Sequence, residues 1–162
     1  MEIIFLLYGS LFVCVFLHEI GHAIAVKLVS YNLLAFKVGP FCILNDDRGK
    51  RFIFTKEIFL GLVVYSAQDG QRTLEKEFFV TAGGTIANVL GGTALVLMYF
   101  ILRETHENGL LIIVGGMSIF MGVANLFPLK INIKGWESDG VVLRHLYKSW
   151  RNKPNNQSQS DA

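Results

Sequence analysis

Charge is what this chain has least of. Only 17% of its 162 residues are Asp, Glu, Lys or Arg, whereas 52% are hydrophobic; soluble domains carry about a quarter charged residues. Residues 78–102 and 110–129 contain none of the four charged types, which argues against an ordinary water-exposed fold for those stretches. Cysteine is nearly absent as well: Cys14 and Cys42 are the only two, and they provide no disulfide framework. The net charge of +2 gives no basic surface for nucleic acid, so that class of partner is set aside. Met1-Glu2 offers no basic leader before the first apolar run, so a cleavable signal peptide is not expected there.

What the chain does have is apolar length. Residues 3–26, 78–102 and 110–129 each reach the roughly 20 residues that cross a bilayer core. The expectation is an α-helical integral membrane protein, with transmembrane helices at about 3–28, 77–102 and 110–129 in one domain over residues 1–150. The basic residues set its orientation. Of the fifteen Lys and Arg, eight fall between Lys27 and Lys76 and six between Lys130 and Lys153, while Arg103 alone joins the second and third spans. By the positive-inside rule the 30–75 loop and the C-terminus are cytoplasmic and the N-terminus lies outside. Residues 151–162 are polar throughout, and a disordered tail is expected there.

Between the first two spans, residues 31–71 read as short β-rich runs cut by turn signals. Residues 33–38 and 41–44 flank Gly39-Pro40, residues 45–49 form a polar turn, and runs at 51–55 and 58–66 lead to Asp69-Gly70. A small cytoplasmic sheet on or near the membrane surface is expected. Its edge could take an extended peptide as an added strand.

One interruption of the first apolar run carries chemistry. Residues 18–22 read His-Glu-Ile-Gly-His, and Glu19 is the only formally charged side chain from residue 3 to residue 26. Positions i and i+4 share a helix face, so His18 and His22 point the same way with Glu19 beside them. A zinc ion needs this from two ligands and a general base. An ionisable group in hydrocarbon costs about 2.5–3.5 kcal/mol on insertion scales, so three together imply a function.

A hydrolytic zinc site has three protein ligands. Beyond the third span the candidates are Asp139, followed by Gly140, and His145. The surroundings favour Asp139: Asn-Leu-Phe-Pro at 125–128 closes an apolar helix, and Ser-Asp-Gly at 138–140 leads into a helical stretch over 141–150. In the second span, Asn88 is the polar exception beside a small-residue ridge of Gly83, Ala87 and Gly91. Counted at 1.5 Å per residue from the cytoplasmic ends, His22 lies about 10 Å deep, His18 about 16 Å and Asn88 about 18 Å. With Asn125 and Asp139 at the same end of the third span, polar groups from three helices converge on one level.

These motifs together resemble the site-2 protease family, the intramembrane zinc metalloproteases. The residues at 18–22 match its helix motif, and Ala-Gly-Gly-Thr-Ile-Ala-Asn at 82–88 resembles its Gly-rich second-span motif. Asn-Leu-Phe-Pro at 125–128 with Asp-Gly at 139–140 resembles its Asn-Pro and Asp-Gly motif. The resemblance covers about residues 3–150. It implies one zinc ion per chain held by His18, His22 and Asp139, with Glu19 activating water. It also implies that Asn88 and Asn125 hold the substrate backbone near the metal. The chain departs from the family pattern at 129–138, an insertion that places Ser138 before Asp139, and no PDZ or CBS module fits within it.

The implied activity is hydrolysis of a peptide bond in a membrane-embedded peptide or single-span protein, in a prokaryotic plasma membrane. A buried helical peptide must be unwound before attack, because its carbonyls are otherwise hydrogen-bonded. Two other classes stand beside this one. A non-catalytic zinc- or peptide-binding relative with a chaperone or immunity role has no need of Glu19. A metal transporter would use the same ligands for transit, but three spans enclose little pore and no His-rich loop is present.

Overall fold

A computed structural model describes residues 2–57, 60–68, 70–102, 109–128 and 137–152. Helix α1 (Glu2–Leu28) is apolar on all sides rather than along one stripe, the pattern of a helix whose surroundings are not water. It ends where Ser30 adopts a left-handed backbone, φ 63°. There the Tyr31 N–H bonds back to the Val26 carbonyl at 2.9 Å, a helix-terminating turn that sends the chain back along α1.

The returning chain forms β1 (Asn32–Val38), β2 (Phe41–Asp46), β3 (Gly49–Phe54) and β4 (Gly61–Ser66). They make one antiparallel sheet in the order β3-β2-β1-β4. The hairpin turns use Gly39 (φ 56°) and Gly49 (φ 96°), a backbone that side chains rarely tolerate. The small sheet expected between the first two helices is present. It runs alongside α1, with Phe36 edge-on to Phe16 at 6.4 Å and Phe41 edge-on to Phe12 at 6.2 Å. Phe12 is sixteen residues before Leu28, so the β1–β2 turn reaches about 24 Å back along the helix. The reason is the left-handed turn at Ser30, which reverses the chain instead of releasing it outward. Phe41, Phe52 and Phe54 are exposed on the sheet, an apolar surface suited to lipid.

Helix α2 (Leu74–Leu102) opens on Thr73, whose hydroxyl accepts the Lys76 N–H at 3.3 Å as an N-cap does. It lies between α1 and α3 (Gly109–Leu126). Glycine permits both contacts. A Cβ on Gly83 would lie 2.7 Å from the Gly21 carbonyl oxygen, and one on Gly92 would lie 2.6 Å from that of Gly115, so the backbones touch directly. The ridge read as packing does pack, but its neighbours face different partners. Gly83 meets α1 and Gly92 meets α3.

After Pro128 the description resumes at Glu137, and α4 (Asp139–Arg151) begins. Ser138 joins the two helices by donating its hydroxyl to the Phe127 carbonyl at 2.8 Å. The Gly140 backbone packs on the Leu126 carbonyl with no space for a Cβ. Asp139 is thereby held at the end of α3.

Ala25, Val26, Tyr31 and Val80 form a small buried core where α1, the sheet and α2 meet. Elsewhere the helices turn apolar surface outward. Only 28%, 17% and 22% of the most apolar windows of α1, α2 and α3 are buried in the protein, and all three helices are long and apolar enough to cross a membrane. The expected spans match within a residue at α1. The second begins three residues earlier, at Leu74, and α3 stops at Leu126 because Pro128 cannot continue it. Residues 129–136 of the expected insertion at 129–138, the start of the 58–66 run, Asp69 and the polar tail from 153 lie outside the described residues.

Candidate metal centre

His18 and His22 project from one face of α1, and their Nε2 atoms lie 3.1 Å apart. Asp139 Oδ2 lies 3.1 Å from His18 Nε2 and 3.4 Å from His22 Nε2. These three side chains form a possible metal-binding group among the described residues. Four-coordinate zinc with ligands at about 2.0–2.1 Å separates neighbouring ligand atoms by about 3.3 Å. The triangle therefore has the right size. Burial alone would push the Asp139 carboxyl up, but the two imidazoles beside it prevail and hold it at about 2. It is ionised at neutral pH, as a ligand must be.

The surroundings keep this space open. A Cβ on Gly84 would lie 2.7 Å from His18 Nε2 and press against His22 Nε2, so α2 supplies the floor of the cradle only as glycine. The His22 ring is fixed from behind, where Nδ1 donates to the Val80 carbonyl at 2.8 Å. A ligating histidine is normally held this way. We expect Gly84→Ala to weaken zinc binding by about 10–100-fold, measured by competition with a chromophoric chelator. Gly91→Ala is the control, since a Cβ there meets only Leu17 at 3.5 Å or more. Equal affinity in the two variants would remove Gly84 from the cradle.

A cavity of about 360 Å³ opens over this group, lined by His18, Glu19, His22, Asn125 and Asp139 on one side and by β4 on the other. Glu19 is buried, and its carboxyl packs against Gly61 of β4, where any Cβ would collide with it. Asn125 Nδ2 donates to His18 Nε2 at 2.9 Å and to Asp139 Oδ2 at 3.2 Å. Tyr65, also on the wall, donates its hydroxyl to Glu77 Oε2 at 3.1 Å, and Arg72 donates to the same oxygen at 3.1 Å. Burial and then the Glu77 charge push Tyr65 up to about 12. It therefore stays protonated and fastens β4 to α2.

The sequence-derived residues divide here. His18, Glu19, His22, Asn125 and Asp139 share the cavity. His145 is exposed on α4 and stands outside the group, because six residues of helix turn it to another face. Asn88 does not reach the cavity. It is 0% exposed and contacts the far side of the His18 ring, with Nδ2 3.3 Å from Nδ1. Its amide is sealed between helices, away from the cavity that the other five residues share. Cys14 is a packing residue whose thiol donates to the Val114 carbonyl of α3 at 3.7 Å.

The family model for peptidase family M50 matches residues 6–108. The chain belongs to peptidase family M50. This is the family of the site-2 proteases, zinc metallopeptidases, so the M50 match and the metal-sized triangle point to the same chemistry. No curated protein and no solved structure matches the chain. The M50 match takes in the 18–22 motif and Asn88 but ends before Asn125 and Asp139. Their meeting with the histidines is a property of the fold.

Sequence reasoning passed over Gly61, Gly84 as a cradle, and the Val80 carbonyl. Gly84 carried a signal as half of a Gly-Gly pair four residues before Asn88. Gly61 and Val80 carried none, since one is a lone strand glycine and the other acts through its backbone.

Proposed function

We propose that this M50 peptidase is an intramembrane zinc endopeptidase that hydrolyses a peptide bond in a membrane-embedded segment of a peptide or single-span protein. The observation that carries the reading is the convergence of His18, His22 and Asp139 within 3.1–3.4 Å beside Glu19, partway along helices apolar enough to span a membrane. When bound, zinc supplies Lewis acidity, making water acidic enough to lose a proton near neutral pH. Glu19, on the same cavity but outside the ligand triangle, takes that proton and passes it to the leaving amine. The Asn125 amide lines the cavity; once a metal takes the His18 Nε2 lone pair, the NH₂ proton now set against it can donate to a substrate carbonyl or to the charge that develops on it.

Strand β4 positions the substrate in this reading. Among the described residues it pairs with β1 alone, and it lines the cavity through Gly61, Leu62 and Val63. A substrate unwound to an extended strand could add along its free edge, and a strand-forming competitor peptide should then inhibit. The cytoplasmic placement of the metal end follows from Lys27 and Lys76 at the ends of α1 and α2 nearest the cavity. The same bias places the N-terminus outside. A prokaryotic plasma membrane is proposed on the resemblance of the minimal three-span core.

The test is cleavage of a single-span substrate panel by purified protein in proteoliposomes. We expect cleavage within the apolar segment, abolished by a chelator and restored by zinc. Zinc flux without cleavage would turn the assignment to transport, and zinc binding with neither would turn it to a non-catalytic role.

A further inference from the structure

We infer that Asn88 is a positioning residue for the metal centre: its side-chain carbonyl accepts the Nδ1–H of His18, with Ser118 holding the amide in that orientation. This rests on the zinc reading given above. Asn125 Nδ2 donates to Asp139 Oδ2 at 3.2 Å, and a carboxylate can only accept, which fixes the Asn125 amide. His18 Nε2 is the ring nitrogen that faces His22 Nε2 and Asp139 Oδ2, each at 3.1 Å, so in the zinc reading its lone pair is the one a cation takes. The proton of neutral His18 is then on Nδ1.

The partner of Nδ1 is the Asn88 amide at 3.3 Å. The two ends of a carboxamide have nearly the same shape, and the bonding network decides between them. With Nδ1 protonated, Asn88 must turn its oxygen to His18 and its NH₂ to Ser118. The Ser118 hydroxyl lies 3.3 Å from that end of the amide and 3.0 Å from the Asn88 backbone carbonyl. It accepts from the NH₂ and donates to the carbonyl, so every group is satisfied. The reverse orientation would place the His18 proton on Nε2, the nitrogen whose lone pair a cation needs, and leave one Ser118 proton for two acceptors.

Asn88 and Ser118 are each 0% exposed, so no water substitutes for either. The outcome mirrors His22, whose Nδ1–H is held by the Val80 carbonyl. One histidine is oriented by backbone and the other by a side chain on a different helix. The Nε2 atoms of both rings and the Asp139 carboxylate then converge on one point, where a cation would take both lone pairs.

The experiment is nitrogen-15 NMR of the histidine-labelled full chain in detergent, stripped of metal, beside zinc titrations of three variants. We expect neutral His18 to carry its proton on Nδ1 in the wild type. Asn88→Leu, similar in size but without an acceptor, should lower zinc affinity by about 10–100-fold and mix the His18 tautomers. Asn88→Asp, which keeps the acceptor, should bind zinc more tightly than Asn88→Leu, and Ser118→Ala should fall between Asn88→Leu and the wild type. A proton on Nε2 in the wild type overturns the inference whether or not Asn88→Leu folds. Wild-type zinc affinity in a folded Asn88→Leu overturns it as well. A wild type that binds no zinc defeats the metal reading, and the tautomer measurement still decides the Asn88 contact.

Discussion

Glu19→Gln is expected to keep one zinc ion per chain and to lose peptide cleavage by about 10²–10⁴-fold in kcat/KM. Glutamine preserves the volume and the packing against Gly61, so the cavity wall should be unchanged. The group placed to hold the metal is His18, His22 and Asp139, with Glu19 outside it, so metal content should not follow activity. An amide cannot take a proton from water, so the step fails at the base. The two readouts are zinc stoichiometry and turnover of a membrane-embedded substrate by the same preparation. Normal turnover in this variant would sink the catalytic assignment; zinc loss would instead move Glu19 into the ligand set.

The second large effect separates two residues six positions apart. Asp139→Ala is expected to lower zinc affinity by more than about 100-fold, beyond what loss of a supporting contact costs, while His145→Ala binds zinc as the wild type does. Asp139 Oδ2 lies 3.1 Å and 3.4 Å from the two histidine nitrogens, so its removal opens one corner of the triangle. His145 is exposed on the outer part of α4 and has no route to that corner without unwinding the helix. Competition with a chelator gives both affinities. If the pattern reversed, with zinc lost in His145→Ala and kept in Asp139→Ala, α4 would have to enter the site in another register.

The same pair shows how far the residues could be read before the fold was known. The 18–22 motif was legible because helix geometry places i and i+4 on one face whatever the rest of the chain does. The three apolar runs were legible because lipid-facing helices need apolar residues all round over a fixed length. The strands at 32–66 were legible from Gly39-Pro40 and the polar turn at 45–49, since turn chemistry is also local. The pattern at 125–128 and 138–140 already favoured Asp139 over His145, but its place beside the histidines depends on more: the Ser138 bond to Phe127 and the contact of Gly140 with Leu126, which join two helices across an intervening segment.

Asn88 and Gly61 show the other limit. An asparagine in an apolar helix announces that it needs partners, but its pattern is the same whether they are a substrate or the back of a histidine ring. Only the close approach of α1, α2 and α3 at their glycines sealed it away from the cavity. Likewise, the strand pattern of 31–71 does not say how the sheet packs on α1, and the turn at Ser30 decided that. Periodicity, turn residues and the zinc motif are settled over a few residues by backbone geometry and solvent, and the sequence alone determined them. The third corner of the triangle, the wall of β4 over Glu19 and the partner of His18 depend on distances between residues up to 121 positions apart. Those distances exist only once the helices pack, and the tertiary structure decided them.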